Sequence, residues 1–225
     1  MTANDESSWP GTRRWVRASM VMSLDGSMVD VEGRSGGLST PEDSARFLAQ
    51  RREADVILVG AGTVRAEGYR PLPRPMAIVS NSGILPPGSP LLDWRRHDAR
   101  APTLYTTRVA VDSGRVDPRL EVVVCGDHLV DLAGVIADFA ERGWARIACE
   151  GGPTLLRGLL EEHLLDELCL SIAPTFAGTG RPIIAEGVSP QRFTLAALER
   201  AADTVFLRLL VNDARDASAP ASPAR

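Results

Sequence analysis

The chain has 225 residues, 44% of them hydrophobic, enough to bury one sizeable core in a single domain. Its formal net charge is −4, and the short run Arg95, Arg96, His97 is too small a basic patch to bind nucleic acid. No stretch approaches the roughly 20 apolar residues of a transmembrane helix, and the polar opening TANDESS lacks the basic-then-apolar order of a secretory signal, so a cytoplasmic protein with no membrane partner is expected.

In chain order, residues 1–14 are polar and irregular and 212–225 are rich in Ala, Ser and Pro. Both are predicted to be disordered tails around a domain at 15–211. Within it, apolar runs of strand length at 15–22, 55–60, 75–80, 103–107, 120–125, 146–150 and 167–174 alternate with helical segments. Near-continuous Val, Ile and Leu in several runs indicates strands buried on both faces, hence a mostly parallel central sheet with helices on both sides. The last run, 204–211, alternates more and is expected as an antiparallel C-terminal edge strand.

The helices have their own signals. Thr40 followed by Pro41, Glu42 and Asp43 reads as an N-cap, a first-turn proline and acids that complement the helix dipole, opening a helix that ends near Glu53. Leu132, Val135, Ile136 and Phe139 form one buried stripe, closed near Gly143. Leu155, Leu156, Leu159 and Leu160 mark another, opening at Pro153. Cys125, Cys149 and Cys169 lie far apart in apolar runs, without CxxC spacing, which reads as reduced core thiols with neither zinc nor disulfides.

Two strand-to-helix turns carry glycine pairs. Gly60 and Gly62 flank Ala61, with Thr63 following; Glu150 ends a buried strand and precedes Gly151, Gly152, Pro153 and Thr154. Glycines remove the side chains that would block a pyrophosphate, and free N–H groups at a helix start attract it. The first turn begins like G-x-G-x-x-G, but Arg65 stands at its last position, and Ser80, Asn81 and Ser82 stand where an acid would bind a ribose hydroxyl. Without that carboxylate a 2′-phosphate is tolerated, so the preference leans to NADPH. Asp25 and Gly26 follow the first strand and form a candidate wall of the site.

The blocks SLDG (23–26), ADVILVGAGTV (54–64), and EGGPTLL with LLDELCLSIAPTFAG (150–178) resemble the reductase domain of the riboflavin-biosynthesis deaminase/reductase, related in fold to dihydrofolate reductase. The resemblance covers nearly the whole chain between the tails. It implies a dihydrofolate-reductase-like fold, NADPH on the two glycine turns, and a homodimer. The implied reaction is hydride transfer to the open-chain ribose imine of 5-amino-6-(5-phosphoribosylamino)uracil or a similar pyrimidine. Carried over by position, Gly60, Gly62, Thr63, Glu150, Gly151, Gly152, Thr154 and Leu155 would hold the cofactor, with Ser80 and Ser82 at its adenosine end. Asp25 and the segment 33–39, ending at Ser39, would approach substrate and nicotinamide.

The chain departs from the family in two places. The deaminase signature H-x-E with P-C-x-x-C is not in this sequence. After GAGTV the usual paired acids and L-T-V-R run are replaced by RAEGYRPLPRP, where Glu67 is the candidate to take one acid's place and Arg65, Arg70 and Arg74 are the candidates to meet a substrate phosphate. Glu67 and Asp25 are the candidate proton donors, and no metal is expected because the cofactor carries the chemistry. A dihydrofolate-type reductase, a non-catalytic NADPH-binding protein and a conventional Rossmann dehydrogenase are the competing readings, the last disfavoured by Arg65 and the missing acid.

Overall fold

A computed structural model describes residues 9–11, 13–86, 88–97 and 99–212. Their strands are β1 (Trp15–Ser23), β2 (Val56–Gly60), β3 (Met76–Ser80), β4 (Thr103–Thr106), β5 (Glu121–Val124), β6 (Arg146–Cys149), β7 (Glu167–Ala173), β8 (Phe193–Ala201) and β9 (Thr204–Val211). The helices are α1 (Pro41–Glu53), α2 (Ala61–Glu67), α3 (Arg108–Asp112), α4 (Leu132–Glu141) and α5 (Pro153–Glu161). All the strands join one sheet in the order β5-β4-β3-β2-β6-β1-β7-β9-β8. Pairs from β5 through β7 are parallel, while β7/β9 and β9/β8 are antiparallel.

The chain builds outward from β2 to β5, then returns to insert β6 between β2 and β1. That reversal is a topological switch point, where an open α/β sheet leaves a crevice outside the carboxyl ends of its strands. The two glycine turns follow β2 and β6, which are neighbours here.

One face of the sheet is apolar. Val16, Ala18 and Met20 of β1 meet Val135, Ile136 and Phe139 of α4 and Leu155, Leu156 and Leu159 of α5 in the main core. Phe139 is fully buried, edge-on to Tyr105 at 5.4 Å between ring centres, as the helical spacing in the sequence requires. On the other face α2 and the 3-10 segment Pro90–His97 cover β3 and β4 through Val64, Leu91, Met76 and Ile78.

α1 shares this second face but fully buries none of its residues. Its sequence offers polar side chains to the sheet, and the sheet answers in kind: Ser19 bonds Gln50, Ser171 bonds Asp43, and Arg51 bonds Glu150. A helix tethered by polar side chains does not close down on the sheet as an apolar stripe would. The space left between them is the cavity described below.

The start of α1 follows the sequence pattern, with Thr40 Oγ1 accepting from Asp43 N at 3.3 Å. The outer edge differs from expectation. β9 is antiparallel, as read, but β8 lies outside it, and β8 was not foreseen. Its sequence FTLAALERA is rich in helix formers, and a register shift between Leu195 and Ala197 breaks the two-residue alternation by which strands are recognised.

The predicted tails lie mostly outside the described residues. Of the first stretch, Trp9 packs beside Ala54, Ile57 and Ala148, and its ring lies 4.5 Å from the Arg17 guanidinium. At the other end, Asn212 Oδ1 accepts from Thr194 at 2.6 Å. No helix among the described residues is long and apolar enough to cross a membrane.

Candidate active site

β2 and β6 deliver their turns side by side. Glu150 N donates to Leu58 O at 2.9 Å, and Gly60 N donates to Gly151 O at 2.7 Å, so the two turns are bonded to one another. Gly151 has φ +82°, a conformation that favours glycine, and a cis peptide joins it to Gly152. A Cβ on Gly151 would stand 3.0 Å from Met20 Sδ, and one on Gly152 would stand 2.8 Å from Thr63 Oγ1. The first intrahelical bond of α5 here is Leu156 N to Gly152 O, so the N–H groups of Thr154 and Leu155 stand ahead of it at the helix start. The side chain of Leu155 packs into the main core, and Gly62 is exposed on the surface of α2.

A cavity of about 450 Å³ lies between α1 and the polar face of β1, β7 and β9. Met20, Met28 and Thr63 line it, and these are the side chains nearest to Gly151 and Gly152, so the glycine turns abut its wall. Ser39, Glu67 and Glu150 also line it, which joins four residues singled out in the sequence to one space.

Glu150 is almost fully buried and clamped. Arg51 Nε and Nη2 donate to its two oxygens at 2.8 and 2.6 Å, and the Tyr69 hydroxyl donates to Oε2 at 2.6 Å. Burial, with the charge of Glu150 beside it, pushes the Tyr69 hydroxyl well above its ordinary pKa, so it stays protonated and donating. Glu67 Oε1 accepts from Ser35 N at 2.8 Å, which holds the end of α2 against the 33–39 segment.

The far wall is built on a buried ion pair. Arg17 and Glu167 are fully buried 2.9 Å apart, and Arg208, a cavity residue, donates to Glu167 at 2.8 Å. Burial alone would raise the Glu167 carboxyl, but Arg208 and Arg17 outweigh it and hold it below the ordinary range.

Several expected site residues are placed elsewhere. Asp25 does not line the cavity; its carboxylate accepts from Ser23 Oγ, Ala177 N at 3.0 Å and Gly178 N at 2.8 Å. Those bonds hold its pKa down at about 2, so it is an ionised loop anchor and a poor proton donor. Arg65, Arg70 and Arg74 are exposed and do not line the cavity; Arg65 donates to Ile84 O and Arg74 to Arg52 O. These arginines are thus spent on backbone carbonyls or turned to solvent.

Ser80 and Ser82 sit together at the end of β3, their hydroxyls 3.4 Å apart, and each accepts from a following N–H. Arg51, Tyr69 and Asp43 were not foreseen as site residues. Only one hint to Arg51 lay in the sequence: a glutamate ending a buried strand needs a cation. Among the described residues no group of three or more His, Cys, Asp or Glu is arranged to hold a metal ion, and the three cysteines are free.

The RibD C-terminal domain family matches residues 14–207. A 2,5-diamino-6-ribosylamino-4(3H)-pyrimidinone 5′-phosphate reductase of Methanothermobacter thermautotrophicus is 33% identical over 178 residues, 74% of this chain and 80% of its own. A pyrimidine reductase-like protein from Corynebacterium diphtheriae superposes with a TM-score of 0.78 at 24% identity, covering 89% of this chain and 92% of its own. Dihydrofolate reductase from Enterococcus faecalis shares the fold at a TM-score of 0.54 and 12% identity, over 88% and 97% of the two chains. With the family matched from one end of the sheet to the other and a relative this similar over most of both chains, the chain belongs to the RibD C-terminal domain family.

Proposed function

We propose that the protein is an NADPH-dependent reductase of a ribosylaminopyrimidine phosphate, of the riboflavin-biosynthesis type. One observation carries this reading: a 450 Å³ cavity, large enough for a substrate ring and its sugar, abuts two mutually bonded glycine turns at the switch point of the sheet. The names of the relatives point the same way.

The turns fit a dinucleotide. The space that a side chain would fill at Gly151 and Gly152 is what close approach of a pyrophosphate to backbone requires, and the Thr154 and Leu155 N–H groups offer it donors. Gly60 and Thr63 complete that side, with the backbone of Gly62 open to it. Ser80 and Ser82 at the end of β3 offer hydroxyls and no carboxylate to the adenosine end, which favours a 2′-phosphate.

When bound, reduced nicotinamide supplies the hydride for the carbon of the open-chain imine. The residues of the chain orient the substrate and manage its proton. Glu67, positioned by the Ser35 N–H, relays a proton from water to the imine nitrogen as the hydride adds to the carbon. Glu150, neutralised by Arg51 and hydrogen-bonded by Tyr69, shapes the wall beside it without presenting an unpaired charge. The pairing of two copies expected from the family is part of this reading; the outer strand β8 carries exposed Leu195 and Leu198, and light scattering measures the mass.

The test is NADPH oxidation by the purified protein with the ribosylaminopyrimidine phosphate and, in parallel, with dihydrofolate. Turnover of the pyrimidine is expected. Turnover of dihydrofolate alone, or NADPH binding with neither substrate consumed, overturns the proposal.

A further inference from the structure

Arg65 lies outside the cavity and spans a different gap. Its Nη1 donates to Ile84 O at 3.4 Å, and its Nη2 stands 3.9 Å from where a Cβ on Gly62 would be. One guanidinium thus reaches from the first glycine turn to the segment that follows β3. Helical side chains lean toward the N-terminus of their own helix, and the missing side chain at Gly62, three residues earlier in α2, leaves that lane open. Glu67, two residues further on, faces the other way and lines the cavity.

The bond to Ile84 O is long and takes one of five guanidinium N–H donors, so four remain for an incoming acceptor. Ser82, two residues before Ile84, is exposed, and its Oγ accepts from Ile84 N at 3.4 Å, which leaves its O–H to donate. Ser80 is buried behind it, with its Oγ accepting from Gly83 N at 3.1 Å. From Gly68 to Leu92 the sequence holds no Asp or Glu, so the turn itself brings no negative charge to this place.

The strand order β3-β2-β6 sets the path of a dinucleotide. With its pyrophosphate on the turn after β6, it crosses the turn after β2 and brings its adenosine ribose to the end of β3, between Arg65 and Ser82. The 2′-phosphate of NADPH is a phosphate monoester with a charge near −2, and a guanidinium fork with a hydroxyl beside it matches its oxygens. NADH presents a neutral hydroxyl at the same point, and this turn lacks the carboxylate that would accept from it.

We propose that Arg65 and Ser82 form the site of the cofactor's 2′-phosphate, and that Arg65 is the residue that selects NADPH over NADH. The inference rests on the cofactor placement proposed above and supplies its cation. An arginine that the sequence suggests for the phosphate of the substrate meets that of the cofactor instead.

The test is fluorescence titration with NADPH and with NADH of the wild type, of Arg65→Gln and of Arg108→Gln, the last a comparison residue exposed at the start of α3, one strand further out. The wild type is expected to bind NADPH about tenfold or more tightly than NADH. Arg65→Gln should weaken NADPH by roughly ten- to a hundredfold, as loss of a hydrogen bond to a charged group does, and leave NADH within about twofold. Arg108→Gln should alter neither. Since Arg65 is exposed, urea unfolding of its variant should match the wild type, which checks the fold. Unchanged NADPH affinity in Arg65→Gln, an equal loss for both cofactors, or a loss seen in Arg108→Gln instead overturns the inference and leaves the reductase standing. A wild type that prefers NADH removes both the site and the choice of NADPH, and binding of neither removes the cofactor placement as well.

Discussion

Placing a methyl group on Gly152 separates the cofactor cradle from the fold that supports it. Gly152 has φ −90°, so alanine carries no left-handed backbone cost there. Its Cβ would come to 2.8 Å from Thr63 Oγ1, well inside ordinary contact, but that atom is the end of a side chain that can turn away. Replacing glycine at a compatible position stabilises by about 0.4–1 kcal/mol through the unfolded chain, and displacing Thr63 offsets a similar amount. Unfolding in urea should therefore change by less than about 1 kcal/mol. With NADPH seated on this turn as proposed, its binding suffers twice: the methyl fills the volume that the pyrophosphate would take, and Thr63 is pushed from its place. A rise in Kd of roughly ten- to a hundredfold is expected, or about 1.4–2.7 kcal/mol, read by fluorescence titration. A folded Gly152→Ala protein with unchanged NADPH affinity would refute the placement of the cofactor on this turn.

Arg51→Met leaves the Glu150 carboxylate buried without its cation, and because Arg51 is partly exposed the loss in urea unfolding should lie near the low end for a broken buried pair, about 3 kcal/mol. Adding Glu150→Gln should restore part of it. Glu67→Gln should lower kcat by roughly a hundredfold or more if Glu67 supplies the proton, with NADPH affinity unchanged in the same preparation. Asp25 predicts a pH dependence. Its folded pKa, about 2, lies below the ordinary 3.8, so its stabilisation is complete above about pH 5 and is lost as the pH falls through 2. The difference in Tm between wild type and Asp25→Asn should be constant from neutral pH to about 5 and shrink as the pH falls through 2; a gap at pH 2 as large as that at neutral pH would rule the anchor out.

The sequence by itself determined the parallel half of the fold and the two glycine turns that the sheet sets side by side. Runs such as VILVG and RIAC are short, apolar and followed by glycine and a helix start, a local pattern that needs no partner to be read. The stripe at Leu132, Val135, Ile136 and Phe139 and the cap at Thr40 were legible for the same reason, because spacing along one helix is local. β8 was not, since its bulge breaks the alternation and only pairing with β9 selects a strand for residues that also suit a helix.

The tertiary structure alone decided which polar residues share the cavity. Asp25 and Glu67 look alike in sequence, each a carboxylate beside a glycine turn, but the Ala177 and Gly178 N–H groups from a loop some 150 residues away claim the first, and the cavity receives the second. Arg65, Arg70 and Arg74 sit at the expected place in the chain and outside the cavity in space, whereas Arg51, Asp43 and Tyr69 reach it although no pattern in the sequence assigns them to it. A motif records what the backbone needs locally. Which charges meet across a cavity depends on strand order and on how closely α1 lies against the sheet, and both are set by contacts between residues far apart in the sequence.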